Sequence, residues 1–213
     1  MGAKPIKNPM ISDADGQRLV EVARQAVTEY LQTGNFHRTI SLESPRMGVF
    51  VTIHALSNEG EENLRGCIGY PLGQERLYDG VVRAAIAAAT EDPRFETVTP
   101  AELATIIFEV SVLTPLERIM AERPVDRKQY VRVGTDGLVI KYKECAGLLL
   151  PQVPYEQGWN VDDFLAGICH KAGLPPDKWM DPRAELYRFQ ALVYKEKSPA
   201  GPAARIEFPP SLK

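Results

Sequence analysis

The stretch MGVFVTIHALSNEGEENLRGCIGY, Met47–Tyr70, decides the fold. MGVFVTIHAL and LRGCIGY read as strands, and the polar SNEGEEN between them, with Gly60, is a turn longer than the two-residue ideal. A hairpin makes its strands antiparallel, which points away from a doubly wound parallel sheet. The second strand carries an oddity. Cys67 stands between Gly66 and Gly69 with Arg65 two positions before it. Glycine inside a strand gives up packing and entropy, so it marks a bulge, a bend, or a place where a ligand or another backbone must come close.

Outward from the hairpin the chain alternates helix and strand signals. Upstream, Ser12 or Asp13 can cap a helix with apolar positions Leu19, Val22, Ala23, Ala26, Val27 and Tyr30, ending at Gly34. Downstream, the alanine-rich ERLYDGVVRAAIAAATED reads as a helix stopped by Pro93. Thr99, Pro100 and Glu102 form a capping box that opens a short helix, followed at once by the β-branched strand TIIFEVSVLTP. In YVRVGTDGLVIKYKECAGLLLPQV the TDG turn is expected to join two short strands, with GLLLPQV as a third. Asn160 or Asp162 can start a helix through Phe164, Leu165, Ile168 and Cys169, and ELYRFQALVY is expected to be one closing strand. The tail KSPAGPAARIEFPPSLK has neither period and reads as a mobile or surface-draped end. The expected fold class is α+β with a mostly antiparallel or mixed sheet and flanking helices. Residues 1–195 are expected to form one domain, with two subdomains as an alternative, before a proline-rich tail at 196–213.

Composition removes several function classes. A chain of 213 residues, 44% hydrophobic and 25% charged, can bury a substantial core. Its net charge of −3, with Lys and Arg scattered, leaves no electrostatic footprint for nucleic acid or an anionic membrane. No apolar leader or 18-residue apolar run is present, and Lys7 stands where a myristoylation motif needs Ser or Thr, so a cytoplasmic protein is expected. Cys67, Cys145 and Cys169 are far apart and form no C-x-x-C, which fits reduced thiols and neither a disulfide framework nor a zinc site. Phosphate-loop, dinucleotide, zinc-protease and nucleophile-elbow motifs are absent, and no cofactor is expected. His37, His54 and His170 each read as structural histidines.

The candidate catalytic residues are Cys67, Arg65 and Glu109. Alternation places Arg65, Cys67 and Gly69 on one face, so the Arg65 guanidinium is expected beside the sulfur, lowering its pKa. The alternative is that Cys67 is an inert apolar filler and the glycines serve a bend. Glu109 is a carboxylate within IIFEVSVL, with Ser111 on its face. It needs a partner, Arg65 or Arg94, unless it is a structural ion pair or an edge acid facing water. The candidate binding residues are Gly66, Gly69, Arg94, Ser111, Gln152 and Trp159. The last two belong to LLLPQVPYEQGW, whose prolines either line a cleft or end a sheet. Cys169 reads as core.

Taken in order, GVFVTI, LRGCIGY, EDPRF, EVSVLTP, GTDGLVI, GLLLPQV and GWNVDDFLAGICHKAGLP strongly resemble the AMMECR family, named for a human X-linked contiguous-gene-deletion syndrome, with LRGCIG as its signature. Two positions depart from the family's pattern: Pro154 stands where a small residue such as alanine is expected, and Asn160 where aspartate is expected. The resemblance implies an α+β fold with a larger and a smaller part and a cleft between them. It brings no established reaction. It implies association with a Memo-like protein and a radical S-adenosylmethionine enzyme, beside which prokaryotic relatives are encoded. Two functions follow as expectations. One is a cleft-based binding module that presents a peptide or small molecule to a modification enzyme system. The other is an enzyme using Cys67 as nucleophile or covalent attachment site, Arg65 as its activator and Glu109 as acid or base.

Overall fold

The computed structural model describes residues 11–36, 45–57 and 59–207. The readings placed on the first ten residues, on His37 and on residues 208–213 lie outside that set. Helix α1, Asp13–Thr33, starts where a capping box can form: Ser12 Oγ accepts from Asp15 N–H at 3.1 Å, and the Asp15 carboxylate accepts from Ser12 N–H at 3.1 Å. Such a cap contributes about 1 kcal/mol. The hairpin forms as β1, Gly48–Leu56, and β2, Glu62–Tyr70. Helix α2, Leu77–Thr90, follows, then a 3₁₀ turn Pro100–Ala104 with the Thr99/Glu102 capping box, then β3, Ile106–Leu113, buried along its whole length.

Beyond β3 come β4, Glu117–Arg118; β5, Gly137–Tyr142; β6, Cys145–Leu149; α3, Gln152–Glu156; α4, Val161–Lys171; β7, Glu185–Phe189; β8, Ala191–Glu196; and β9, Ala203–Ile206. One sheet has the order β2-β1-β3-β8-β9 and the other β4-β7-β5-β6, with antiparallel pairing at β1–β2, β1–β3, β8–β9, β4–β7, β5–β6 and β5–β7. The fold class is therefore α+β with antiparallel sheets. The chain divides into two compact units. The larger takes in Pro9–Leu113 and Leu192–Ile206, and the other is built on Thr114–Ala191. In the larger unit α1 and α2 cover one face of the five-stranded sheet, and the core there is Leu19, Ala23, Val51, Ile53, Val81, Ala84, Phe108, Val110 and Tyr194 with their neighbours. In the other unit Leu138, Ile140 and Leu186 pack on Phe164, Leu165, Ile168 and Cys169 of α4. No described helix is long and apolar enough to cross a membrane.

Four expectations differ from what is seen. YVRV is not a strand. Asp136, fully buried, accepts from the Arg132 backbone N–H at 3.0 Å and pairs with its guanidinium at 2.9 Å, which holds residues 132–136 in a turn. The hairpin turn lies instead at Lys143–Glu144, between β5 and β6. GLLLPQV is a strand only through Leu149: Pro151 has no N–H for a neighbouring strand, takes φ −59° and ψ −31°, and opens α3. ELYRFQALVY divides at Gln190 between the two sheets, because Gln190 and Thr114 exchange two 2.8 Å hydrogen bonds there, Gln190 N–H to Thr114 Oγ1 and Thr114 N–H to Gln190 O. The tail also contributes structure, since β9 pairs with β8.

Candidate functional site

Strand alternation gives the larger sheet two different faces. Val49, Val51, Ile53, Phe108, Val110 and Val112 face the helices. The residues between them form the opposite face, and Thr52 is at its centre, in register with Cys67 on β2 and Glu109 on β3. Thr52 Oγ1 donates to Cys67 Sγ at 3.3 Å. Two residues along β1, His54 brings Nε2 to 3.5 Å from Glu109 Oε2. Lys195 of β8 sets Nζ 3.9 Å from the same oxygen and pairs with Glu62 of β2. Ser111 lies two residues beyond Glu109 on the same face.

The glycines of LRGCIGY serve the chain's own packing. A Cβ on Gly66 would lie 2.1 Å from the Ala88 carbonyl oxygen, so its absence is what lets α2 lie against β2. A Cβ on Gly69 would meet the Phe50 ring at 2.3 Å. Of the two approaches expected, ligand or backbone, Gly66 shows the backbone one.

Arg65 is not beside the sulfur. Ile53 pairs with Gly66 but His54 pairs with Leu64, so Arg65 is the extra residue of a β-bulge and drops out of the alternation. Its Nε donates to Glu102 Oε1 at 2.7 Å and its Nη1 to the Glu96 carbonyl at 2.7 Å. That guanidinium holds the Glu102 carboxyl below its ordinary value, and the two tie β2 to the 3₁₀ turn. The cation near Cys67 is Arg94. Asp92, 4% exposed, accepts from Cys67 N–H at 2.8 Å and from Arg94 Nη2 at 2.6 Å, and so clamps the loop after α2 to the outer edge of β2. The Arg94 guanidinium, helped by the Cys67 and Arg94 backbone N–H groups, holds the Asp92 carboxyl well below the usual carboxylate range against the opposing effect of burial.

Burial pushes the Cys67 thiol up from its ordinary value. The Thr52 hydrogen bond and the Arg94 charge oppose that rise, while Glu109 and Asp92 add to it. This is the reverse of the lowering expected from Arg65: desolvation is the larger effect, and Arg65 points elsewhere. Burial therefore favours the protonated thiol.

The face holds polar groups that are not fully paired. Glu109, 8% exposed, makes no hydrogen bond among the described residues and has the His54 ring and the Lys195 ammonium near it. Among the described residues Ser111, 1% exposed, leaves Oγ without a hydrogen-bond partner, and the buried His54 Nε2 has none either. Such groups are rare in folded proteins and call for a partner. No group of three or more metal-ligating side chains occurs among the described residues.

Of the sequence candidates, Cys67, Glu109, Ser111 and Gly69 therefore share this face, Arg94 flanks it at the β2 edge, and Gly66 looks the other way. Gln152 and Trp159 belong to the other unit, where Gln152 Oε1 is buried without a hydrogen-bond partner among the described residues and Trp159 packs on that unit's core. Sequence reasoning read His54 as structural and passed over Thr52, Asp92 and Lys195. The alternation of Thr52 and His54 with Val51 and Ile53 was the available signal for two of them.

The AMMECR1 family profile matches residues 20–194. A protein of Thermococcus gammatolerans is 46% identical over 199 residues, covering 92% of this chain and 97% of that one. One of Methanothermobacter thermautotrophicus is 46% identical over 196 residues, covering 90% and 99%. The crystal structure of uncharacterized protein PH0010 from Pyrococcus horikoshii superposes with a TM-score of 0.86 at 42% identity, covering 93% of this chain and 99% of that one.

Proposed function

This chain belongs to the AMMECR1 family, and from the geometry of its Cys67 face we propose that it is a binding module: the face formed by Cys67, Thr52, His54, Glu109 and Ser111 receives a polar group of a peptide or small molecule. The observation that carries the reading is the unspent hydrogen-bonding capacity, among the described residues, of Glu109, of His54 beside it and of Ser111 two residues along the same strand face. A bound group would satisfy them and remove the cost of about 1–3 kcal/mol that an unpaired buried polar group carries. Binding is favoured over thiolate chemistry because burial favours the protonated Cys67 thiol, and the hydrogen bond it makes among the described residues, from Thr52, gives it no base. In this reading Arg94 and Asp92 hold the β2 edge, and Arg65 fixes the strand to the 3₁₀ turn. The module would present its ligand to a modification enzyme, and the family resemblance supplies the first partners to try, a Memo-like protein and a radical S-adenosylmethionine enzyme.

The test is a titration of the ¹⁵N-labelled chain with pools of defined tripeptides, read by amide chemical shifts. Shifts concentrated at Thr52, His54, Cys67, Glu109 and Ser111, with the strand β5 amides unmoved, are expected. Shifts only elsewhere, or none from any pool, defeat the reading.

A further inference from the structure

We propose that the group received on this face is a primary ammonium, a lysine side chain or a peptide amino terminus, held by the Glu109 carboxylate. The inference rests on the binding reading above and names its ligand class. Two observations lead to it independently. The first is charge. Glu62 and Glu109 are both served by one cation, Lys195, which pairs closely with Glu62 and stands 3.9 Å from Glu109. Lys195 stands closer to Glu62, so Glu109 is the carboxylate left short. Arg94 does not supply the balance, because Nε and Nη2 are both committed to Asp92.

The second observation is the kind of hydrogen bonding left over. The Glu109 oxygens only accept, and Ser111 Oγ can accept as well as donate. Thr52 Oγ1–H is already given to Cys67 Sγ. Among the described residues no group donates a hydrogen bond to Glu109, and Ser111, 1% exposed, leaves Oγ without a partner, so the face has acceptors to spare. An ammonium brings three donors and the missing positive charge in a compact group. A carboxylate or phosphate would bring more acceptors to a face that already has a surplus. A neutral amide would satisfy some acceptors and leave the charge.

The experiment uses the same amide spectra. The probes are methylamine, an Nα-acetyl-lysine methylamide and its Nε-acetyl counterpart, a Gly-Gly amide with free and with acetylated amino terminus, acetate, and acetamide. The free ammonium probes are expected to shift Thr52, His54, Cys67 and Glu109, and their acetylated counterparts to bind about tenfold more weakly or worse. The lysine and Gly-Gly arms tell a side-chain ligand from an amino-terminal one. Glu109→Gln is expected to weaken the ammonium probes by a similar factor. Lys195→Met removes the competing cation and is expected to strengthen them severalfold, an increase that a merely structural role for Lys195 would not give. If Glu109→Gln fails to fold, the Lys195→Met result decides alone. Acetamide or acetate shifting these residues as well as the amines do would overturn the ammonium inference and leave the binding reading standing. The absence of any shift on this face with every probe would overturn both.

Discussion

Gly66→Ala is the smallest change that tests how the Cys67 strand is held. The new methyl carbon would lie 2.1 Å from the Ala88 carbonyl oxygen and 3.1 Å from its carbon. Close carbon–oxygen contacts in proteins are about 3.3 Å or longer, so β2 or α2 must shift by roughly an ångström. Both atoms are helix backbone, which cannot turn aside as a side chain would. The substitution on its own would favour folding by about 0.4–1 kcal/mol through the unfolded chain. Overpacking costs about 1–3 kcal/mol and should reach the upper end here, for a net loss of about 2 kcal/mol. For a chain of this size that lowers Tm by roughly 4–8 °C. Gly80→Ala on α2 is the control, because its Cβ would meet only Val49 Cγ1, at 3.2 Å, and it gains up to about 1 kcal/mol of helix propensity. Thermal and urea melts of the two variants beside the parent chain decide. A Gly66→Ala protein that melts with or above the parent would refute the claim that the α2 backbone is what requires glycine there.

Asp92→Asn should cost about 1.5–3 kcal/mol in urea melts, since the charged acceptor of Cys67 N–H and Arg94 is lost. Because the folded Asp92 carboxyl is held below its unfolded value of about 3.9, its stabilisation is complete above that pH and fades as pH falls toward the folded value. The gap between parent and variant should therefore be flat near neutrality and shrink below about pH 4. Glu196→Gln should be more damaging, about 3–5 kcal/mol, because the buried carboxylate holds Arg24 at 2.5 Å and also accepts from Phe108 N–H at 2.9 Å; a loss under about 1 kcal/mol would count against that network. Arg65→Gln should lower stability by about 1 kcal/mol through the partly exposed Glu102 pair, with no change in Cys67 reactivity.

Local rules made much of the fold legible. Ser12, the Thr99/Glu102 box and the hairpin around Gly60 act within a few residues of themselves, and each forms where its residues say. Asn160 caps α4 with Oδ1 accepting from Asp163 N–H at 3.0 Å, doing what an aspartate would do there. What escaped was set at a distance. The division at Gln190 depends on Thr114, 76 positions away, and the place of Lys195 beside Glu62 depends on a pairing across 133 positions. Arg65 shows the same limit at short range: one extra residue in β2 turned a correct alternation into a wrong neighbour, because the bulge is defined only by the register against β1. The reverse held for Cys67, Glu109 and Ser111, whose shared face followed from period-two alternation and an unbroken β1–β3 register.

The most direct test of Cys67 as a protonated wall of a binding face, and not a nucleophile, is its own titration in the folded chain. With ¹³C-labelled cysteine, the Cys67 Cβ shift is followed across a pH series, assigned against Cys67→Ser. The midpoint should lie above the free-thiol value of about 8.5, rise further in Arg94→Gln, and stay unchanged in Arg65→Gln. A midpoint below about 8.5 would contradict the account, and one at or below about 7.5 would put a thiolate near neutral pH and favour reading the chain as an enzyme built on Cys67.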